Sequence, residues 1–236
     1  MVFPRLEAYQ QAVQNPHIVF SDPVLRLCRV ASDPFGMPLP ISGGFAVTYH
    51  FIGSGEWAVR CFSRDIPDLE SRYAALTGFL RPRMSRRFVT FEFEPKGILV
   101  DGQRYPIVKM EWVKGPTLGN YINAHLSRDE LAWLAGDFRK LIMEMESLGI
   151  AHGDLQEGNI LVEECLRLID YDGMYVPGMK FGPSGAGHRD YQHPRIKEPR
   201  FGADCDSFAA IVIYLGLLAV SRCPDLWRRY DNGHNI

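Results

Sequence analysis

"IAHGDLQEGNILVEECLRLIDYDG", Ile150 to Gly173, decides how this chain is read. Within it two apolar runs, "NILV" and "LRLID", are joined by the polar pair Glu163-Glu164. Short apolar runs bounded by turn residues predict a small β-hairpin. A hairpin brings its two ends together. Asn159, just before the first strand, and Asp170, at the end of the second, are therefore expected side by side. Asp154 lies five residues ahead of Asn159, on the preceding loop. Two converging oxygen-bearing side chains suit Mg²⁺, a hard cation that takes few protein ligands and shares phosphate oxygens. Asp154 is then placed to accept a proton from an attacking hydroxyl, or to orient it. The alternative is that these are ordinary turn residues between hydrophobic runs.

The flanks of this stretch read as helices. Upstream, Leu131, Leu134, Phe138, Leu141, Met145 and Leu148 recur at spacings of three and four, one apolar stripe on a helix over 128–148. Ser127 and Glu130 form the signature of a capping box at its start, and Gly149 ends it. Downstream, a Gly-rich loop leads to "FAAIVIYLGLLAV", Phe208 to Val220. This run has 13 residues, whereas a bilayer span needs roughly 18 or more, so it is read as a buried core helix.

The first half has a different character. "FAVTYHF" and "EWAVRCF", joined by "IGSGE", read as a hairpin, because Gly53 and Gly55 suit a tight turn. "DLESRYAALTGFL" has helical spacing. "FVTFEFEP" and "RYPIVKMEWV" then flank the turn-prone "KGILVDGQ". Ahead of these, residues 1–40 hold a helix-like "RLEAYQQAVQ" and a Pro-rich path, a lead-in expected to pack on the main domain. The expected organisation is thus a lead-in over 1–40, an antiparallel sheet with one helix over 41–113, and a mainly helical region over 114–236.

Bulk composition narrows the classes. The chain has 236 residues, 46% hydrophobic and 23% charged, which suits a soluble globular protein with a substantial core. A net charge of −2 gives no basic nucleic-acid footprint, so nucleic acid is not an expected partner. The amino terminus lacks the pattern of a signal peptide. Cys28, Cys61, Cys165, Cys205 and Cys223 form no CxxC pair, and such a dispersed, odd set reads as reduced thiols in a cytoplasmic protein.

His152, Asp154, Leu155, Asn159, Ile160, Leu161 and Asp170, within "HGDLQEGNILV…LIDYD", resemble the catalytic loop and metal-binding segment of the protein-kinase-like superfamily. Further segments fall in the order that family has. "SGGFAVTY" corresponds to the glycine-rich phosphate loop and "EWAVRCF" to the strand carrying a phosphate-binding Lys. "IVKMEWVKGPTL" corresponds to the last strand and hinge. "DYQHP" and "ADCDSFA" correspond to the end of the activation segment and the start of a central helix. The resemblance covers roughly residues 40–220. It implies an α+β, bilobal protein-kinase-like fold that binds ATP and Mg²⁺. Asp154 would be the catalytic Asp, and Asn159 and Asp170 the metal ligands. Arg60 would face the phosphates with Glu70 as its partner, in competition with Asp68. Gly43, Gly44 and Phe45 would line the phosphates. Met110 would sit beside the base, with Glu111 to Val113 offering it backbone groups. Asp204 would match the buried Asp of the central helix.

The sequence also departs from that pattern. Arg60 stands where the family has Lys, and a forked guanidinium is not equivalent to a point-charge ammonium. Misplacing the phosphates by about 1 Å can cost on the order of a hundredfold in rate. Of the three loop glycines only Gly43 survives, since Ile41 and Ala46 occupy the other positions. Asp-Tyr-Asp, ending in Asp172, replaces the usual Asp-Phe-Gly, and Gly153 replaces the Arg of the catalytic loop. Both variants occur in small-molecule-phosphorylating relatives. Without that Arg, a phosphate on the activation segment, at Ser184 or Tyr191, has no evident cation to order it. The chain also stops soon after the central helix, so the C-terminal lobe reads as cut short.

Three functions stay open on this reading. The first is an ATP- and Mg²⁺-dependent kinase acting on Ser or Thr of a protein substrate, which the peptide-docking look of "DYQHP" favours. The second is a small-molecule kinase, because Gln156 stands where Ser/Thr kinases place Lys. The third is a pseudokinase, a nucleotide-binding or scaffold module with a protein partner, which Arg60 and the worn loop favour. His188, Asp190 and His193 read as loop hydrogen-bonding residues rather than a zinc site. The basic cluster "RPRMSRR", Arg81 to Arg87, reads as a solvated face. Cys61 and Cys205 read as inert core thiols.

Overall fold

The structure, a computed structural model, describes residues 2–83, 85–182, 187–195, 198 and 200–230. The chain is α+β and divides into two compact units. One comprises Met1–Thr77 with Thr90–Trp112; the other comprises Gly78–Val89 with Val113–Ile236. Residues 78–89 thus group with the second unit, although they precede the last two strands of the first. Among the described residues no helix is long and apolar enough to cross a membrane.

In the first unit, α1 (Leu6–Ala12) and α2 (Pro16–Val19) precede the strands β1 (Arg29–Val30), β2 (Pro40–Ser42), β3 (Ala46–Ile52) and β4 (Glu56–Phe62). Helix α3 (Leu69–Leu80) follows, then β5 (Phe91–Val100) and β6 (Gln103–Glu111). All pairings are antiparallel, in the order β1-β3-β4-β6-β5, with β2 also on β3. The β3–β4 hairpin closes through the bond from Gly53 N–H to the Gly55 carbonyl, 2.9 Å. A Cβ at Gly53 would lie 2.6 Å from Cys28 Sγ, so a larger residue there must displace the buried Cys28 side chain.

The second hairpin is tighter than the sequence suggested. "KGILVDGQ" reads as one turn, yet β5 runs on to Val100 and only Asp101-Gly102 turns, both at positive φ (48° and 79°). That is the Asp-Gly pattern whose twist matches flanking strands. The break signalled by Pro95-Lys96-Gly97 is instead a register shift between Glu94 and Ile98 inside the strand. Buried Ile98 and Val100 hold the remainder in the sheet.

The lead-in contributes directly to this core. Tyr9, Val13, Phe20 and Leu25 pack with Tyr49, Phe51, Val59 and Ile107, all nearly inaccessible. Tyr9 donates its hydroxyl to the Phe62 carbonyl at 2.7 Å. Asp22 caps the turn at Val24 and Leu25 with one carboxylate oxygen and pairs with Lys109 through the other. Lys109 also reaches Glu92 at 2.9 Å.

The second unit holds α4 (Leu118–Ala124), α5 (Arg128–Leu148), β7 (Ile160–Val162), β8 (Leu166–Leu168), α6 (Ser207–Arg222) and α7 (Asp225–Tyr230). The predicted cap of α5 is present: Ser127 accepts from Glu130 N–H, and Gly149 ends the helix at φ 65°. Leu131, Leu134, Phe138, Leu141 and Met145 are buried as the stripe requires. β7 and β8 form the expected hairpin, with Ile160 opposite Leu168.

Two readings need correction. Arg87 is not part of a solvated face, although Arg81, Arg83 and Arg86 are exposed. Its guanidinium is buried and bonds both carboxylate oxygens of Asp137, at 2.8 and 2.9 Å, and the Leu166 carbonyl at 3.3 Å. Asp137 in turn accepts from Leu166 N–H at 2.8 Å, so this pair fixes β8 against α5. A run of like charges hides one buried member because its partner lies 50 residues away. Helix α6, in turn, is not wholly buried: Ile211 and Leu215 are 57% and 58% exposed.

Burial raises the Asp137 carboxyl, but hydrogen bonds from Arg87 and Leu166 outweigh it, and the net position is below the usual carboxylate range. A depressed carboxylate stabilises the fold above its unfolded pKa, about 3.9. That stability is lost as pH falls through the lower, folded value. Arg87→Met is expected to cost about 3–5 kcal/mol at neutral pH, because it strands a buried charge. Asp137→Asn should likewise be weaker at pH 7, yet lose less on acidification than the wild type. Chemical unfolding of both variants at pH 7 and pH 3 measures this; an unchanged acid slope in Asp137→Asn would contradict it.

Candidate active site

The loop ahead of β7 is held from below. Ala151 exchanges backbone bonds with Tyr175, at 2.8 and 3.2 Å. His152 is fully buried and bonds the Ile169 carbonyl through Nε2 at 2.7 Å, tying the loop to the end of β8.

The carboxylate beneath the loop is Asp206, not Asp204. Asp204 is exposed and near Arg200, 3.6 Å away. Asp206 is buried and accepts the backbone N–H groups of both His152 and Gly153, the latter at 2.9 Å. Burial pushes its carboxyl above the ordinary range, and the two N–H donors oppose that. The signal for Asp206 was present, since it immediately precedes α6, where a helix-start carboxylate belongs. Asp206→Ala leaves two buried donors unpaired and should cost about 2–4 kcal/mol. Asp204→Ala should stay within about 0.5 kcal/mol. Thermal unfolding of the two variants side by side checks the assignment; equal losses would refute it.

Gly153 has a steric reason for being glycine. Its φ is +76°, and a Cβ would lie 2.1 Å from the Gly173 carbonyl oxygen. Glycine alone tolerates both the left-handed backbone and this backbone-to-backbone approach. The loop therefore has no room for a side chain at this position.

Asp154 is oriented by three donors. Oδ1 accepts His188 N–H at 2.6 Å. Oδ2 accepts Gln156 Nε2 at 3.0 Å and Asn159 Nδ2 at 3.1 Å. Asn159 Nδ2 also donates to the Asp154 carbonyl at 2.9 Å. A carboxylate offers about four lone-pair directions, so one on Oδ1 is left for a further donor. The doubly engaged Asn159 nitrogen fixes which way the amide lies, with Oδ1 as the atom left to a cation.

Asp170 follows directly on this arrangement. Ile169 N–H donates to the Asn159 carbonyl at 3.1 Å, extending the hairpin one step beyond the Ile160–Leu168 pair. Asp170 then adopts φ 64°, ψ 77°, an uncommon conformation outside glycine. Such backbone outliers cluster at functional sites. Asp172 is buried on the turn that follows. Asn159 and Asp170 are hard oxygen donors, and Mg²⁺ commonly takes only one or two carboxylates plus waters and phosphates. Among the described residues no group of three or more His, Cys, Asp and Glu side chains could hold a metal. A site here would thus rest on the Asn–Asp pair and on phosphate, as the chemistry of Mg²⁺ allows.

Gly187, at φ +70°, and His188 pass over Asp154, and buried Tyr191 anchors the same segment. Tyr191 is buried, at 5% exposure, and Ser184 lies outside the described residues. His188 Nδ1 accepts Asp190 N–H at 3.4 Å, and His193 packs its ring edge-on to Phe208 at 5.2 Å.

The remaining candidates lie in the first unit. Gly43 and Gly44 form the β2–β3 turn, and Gly43 N–H is taken by the Ala46 carbonyl at 2.9 Å. The Phe45 carbonyl accepts Ser63 N–H at 2.8 Å, and Arg64 lies 4.0 Å above the Phe45 ring. Arg60 is buried on β4, opposite Thr48 and Val108, whereas Glu70 is exposed in the first turn of α3. Arg72, on α3, is buried at 2% and escaped the sequence reading, because a helical arginine looks the same whether solvated or buried. Met110 is buried on β6. Glu111 N–H is bonded to the Thr90 carbonyl and Trp112 N–H to the Glu56 carbonyl, so neither N–H is left to a ligand. Trp112 stacks on His50 at 3.8 Å. Val113 is buried at the start of the second unit's main segment.

Cys61 and Cys205 are held as thiols: burial raises both, Cys205 to about 12. Compared with known proteins, the chain matches no family model and no curated sequence.

Proposed function

We propose that this chain is a divergent, protein-kinase-like phosphotransferase that uses ATP and Mg²⁺, its two units being the two lobes of that fold. The observation that carries the reading is the mutual locking of Asp154 and Asn159. One amide nitrogen holds the Asp154 carbonyl and carboxylate together, which orients a proton acceptor and a cation ligand at once. Mg²⁺ bound there would neutralise charge on the transferred phosphoryl group. Asn159 Oδ1 and the Asp170 carboxylate would hold it. Asp154 Oδ1 keeps a lone pair for the hydroxyl of the acceptor and takes its proton, while His188, Gln156 and Asn159 hold the carboxylate still. Preorganisation of this kind needs no rearrangement during the reaction.

Ser or Thr of a protein is the acceptor we favour. Gln156 turns its amide onto Asp154 and brings no positive charge toward phosphate, which supports a small-molecule hydroxyl as the alternative. A pseudokinase reading is supported by Gly43, whose N–H is consumed within its own hairpin.

Radiolabelled phosphate transfer from ATP, beside nucleotide-induced thermal shift with and without Mg²⁺, tests the proposal. Wild type should transfer phosphate and Asp170→Asn should not. Mg²⁺-dependent stabilisation without transfer would select the pseudokinase reading; neither transfer nor stabilisation would reject the nucleotide site.

A further inference from the structure

A second surface of the second unit carries its own chemistry, and none of the candidate site residues lines it. Helices α5 and α6 border a groove of about 540 Å³. Ala135 and Met143 line it from α5, and Tyr214 and Leu218 from α6, with Arg139 and Lys140 beside them. The α6 sequence is apolar on every side, and such a helix is ordinarily covered all round. Here Ile211 and Leu215 stay more than half exposed, and Met143 of α5 is 55% exposed. Ile211 and Leu215 do not line the groove but adjoin Tyr214 and Leu218, respectively, at a helical spacing of three, so the apolar exposure runs on from its α6 edge. Clustered apolar exposure of this sort marks an interaction surface.

The charges identify the occupant. Arg139 and Lys140 are exposed, and neither forms an ion pair among the described residues. A second copy of the chain on this face would set these cations against their own kind, and like-charge juxtaposition is costly. Two neighbouring helices also present side-chain ridges whose intervening groove accepts a third helix. We propose that this groove docks an amphipathic helix of a partner protein, seated by an apolar stripe and flanked by Asp or Glu that meet Arg139 and Lys140. Apolar contact supplies the affinity and the paired charges set orientation and selectivity.

The test is selection against a displayed library of helical peptides with a fixed Leu stripe and randomised flanking positions, using the full chain as bait. Enriched peptides should carry Asp or Glu on their flanks. By fluorescence anisotropy their affinity should fall about tenfold or more for the Arg139→Glu/Lys140→Glu variant, and that variant should prefer Lys-flanked versions. The apolar variant Met143→Gln/Leu215→Gln should also lose binding, with far-UV circular dichroism unchanged in both. Neutral or basic flanks, no enrichment, or binding indifferent to these substitutions would overturn the proposal. So would sedimentation showing a wild-type dimer that Met143→Gln/Leu215→Gln dissociates.

Discussion

Asp154→Ala is expected to lower phosphate transfer by about a thousandfold, within the range seen when a positioned proton acceptor is removed. Its thermal midpoint should stay within about 2 °C of wild type, a change of roughly 1 kcal/mol for a chain of this size. The argument is local. Asp154 is only partly buried, and Asn159 keeps its bond to the Asp154 carbonyl when the side chain is gone. Asp154→Asn should be no gentler. An amide has one acceptor oxygen, yet donors approach both carboxylate oxygens: His188 on one side, Gln156 and Asn159 on the other. One side must then face donor against donor, so the isosteric change disturbs the loop as well as the chemistry. Steady-state transfer rates and unfolding midpoints for the two variants measure these effects. Near wild-type transfer in Asp154→Ala would remove Asp154 from the mechanism.

A large stability effect, set by backbone geometry alone, is expected at Gly153. Gly153→Ala forces a left-handed alanine, which costs roughly 1–2 kcal/mol. It also drives a methyl to within 2.1 Å of the Gly173 carbonyl oxygen, a backbone atom that cannot swing aside. Shifting a packed backbone costs about 1–3 kcal/mol more. Together these amount to about 3 kcal/mol, or a fall of about 6–12 °C in midpoint. Gly149→Ala is the control, because Gly149 is also left-handed (φ +65°) but a Cβ there meets only Pro177 at 3.5 Å. The strain is common to both positions and the clash is not, so Gly153→Ala should be the worse by at least about 1 kcal/mol. Equal losses would show that the approach to Gly173 is not what selects glycine.

Much of this was legible in the sequence where the information is local. The α5 stripe, its Ser127 cap and its Gly149 end depend on residues within a few turns, and all three are present. The β7–β8 hairpin followed from two apolar runs around Glu163-Glu164. What escaped depends on distant partners. Arg87 is buried because Asp137 waits on α5, and nothing within "RPRMSRR" separates it from its exposed neighbours. Asp204 and Asp206 differ by two positions, and only the approach of the His152 and Gly153 N–H groups decides between them. Gly153 read as a missing cation; in the fold it is first a steric necessity, imposed by Gly173 twenty residues on. The exposed face of α6 was hidden for the opposite reason, since an all-apolar helix predicts full burial and composition does not show which neighbours are present.

Nucleotide-dependent Mn²⁺ binding, followed by the loss of free Mn²⁺ signal in electron paramagnetic resonance, tests the central claim most directly. Mn²⁺ takes the same oxygen donors as Mg²⁺. Wild type should bind it only in the presence of ATP, and Asn159→Ala and Asp170→Ala should each abolish that binding while remaining folded. ATP-dependent binding that survives both substitutions, or no binding in the wild type, would contradict the assignment of Asn159 and Asp170 as the metal ligands of a phosphoryl-transfer site.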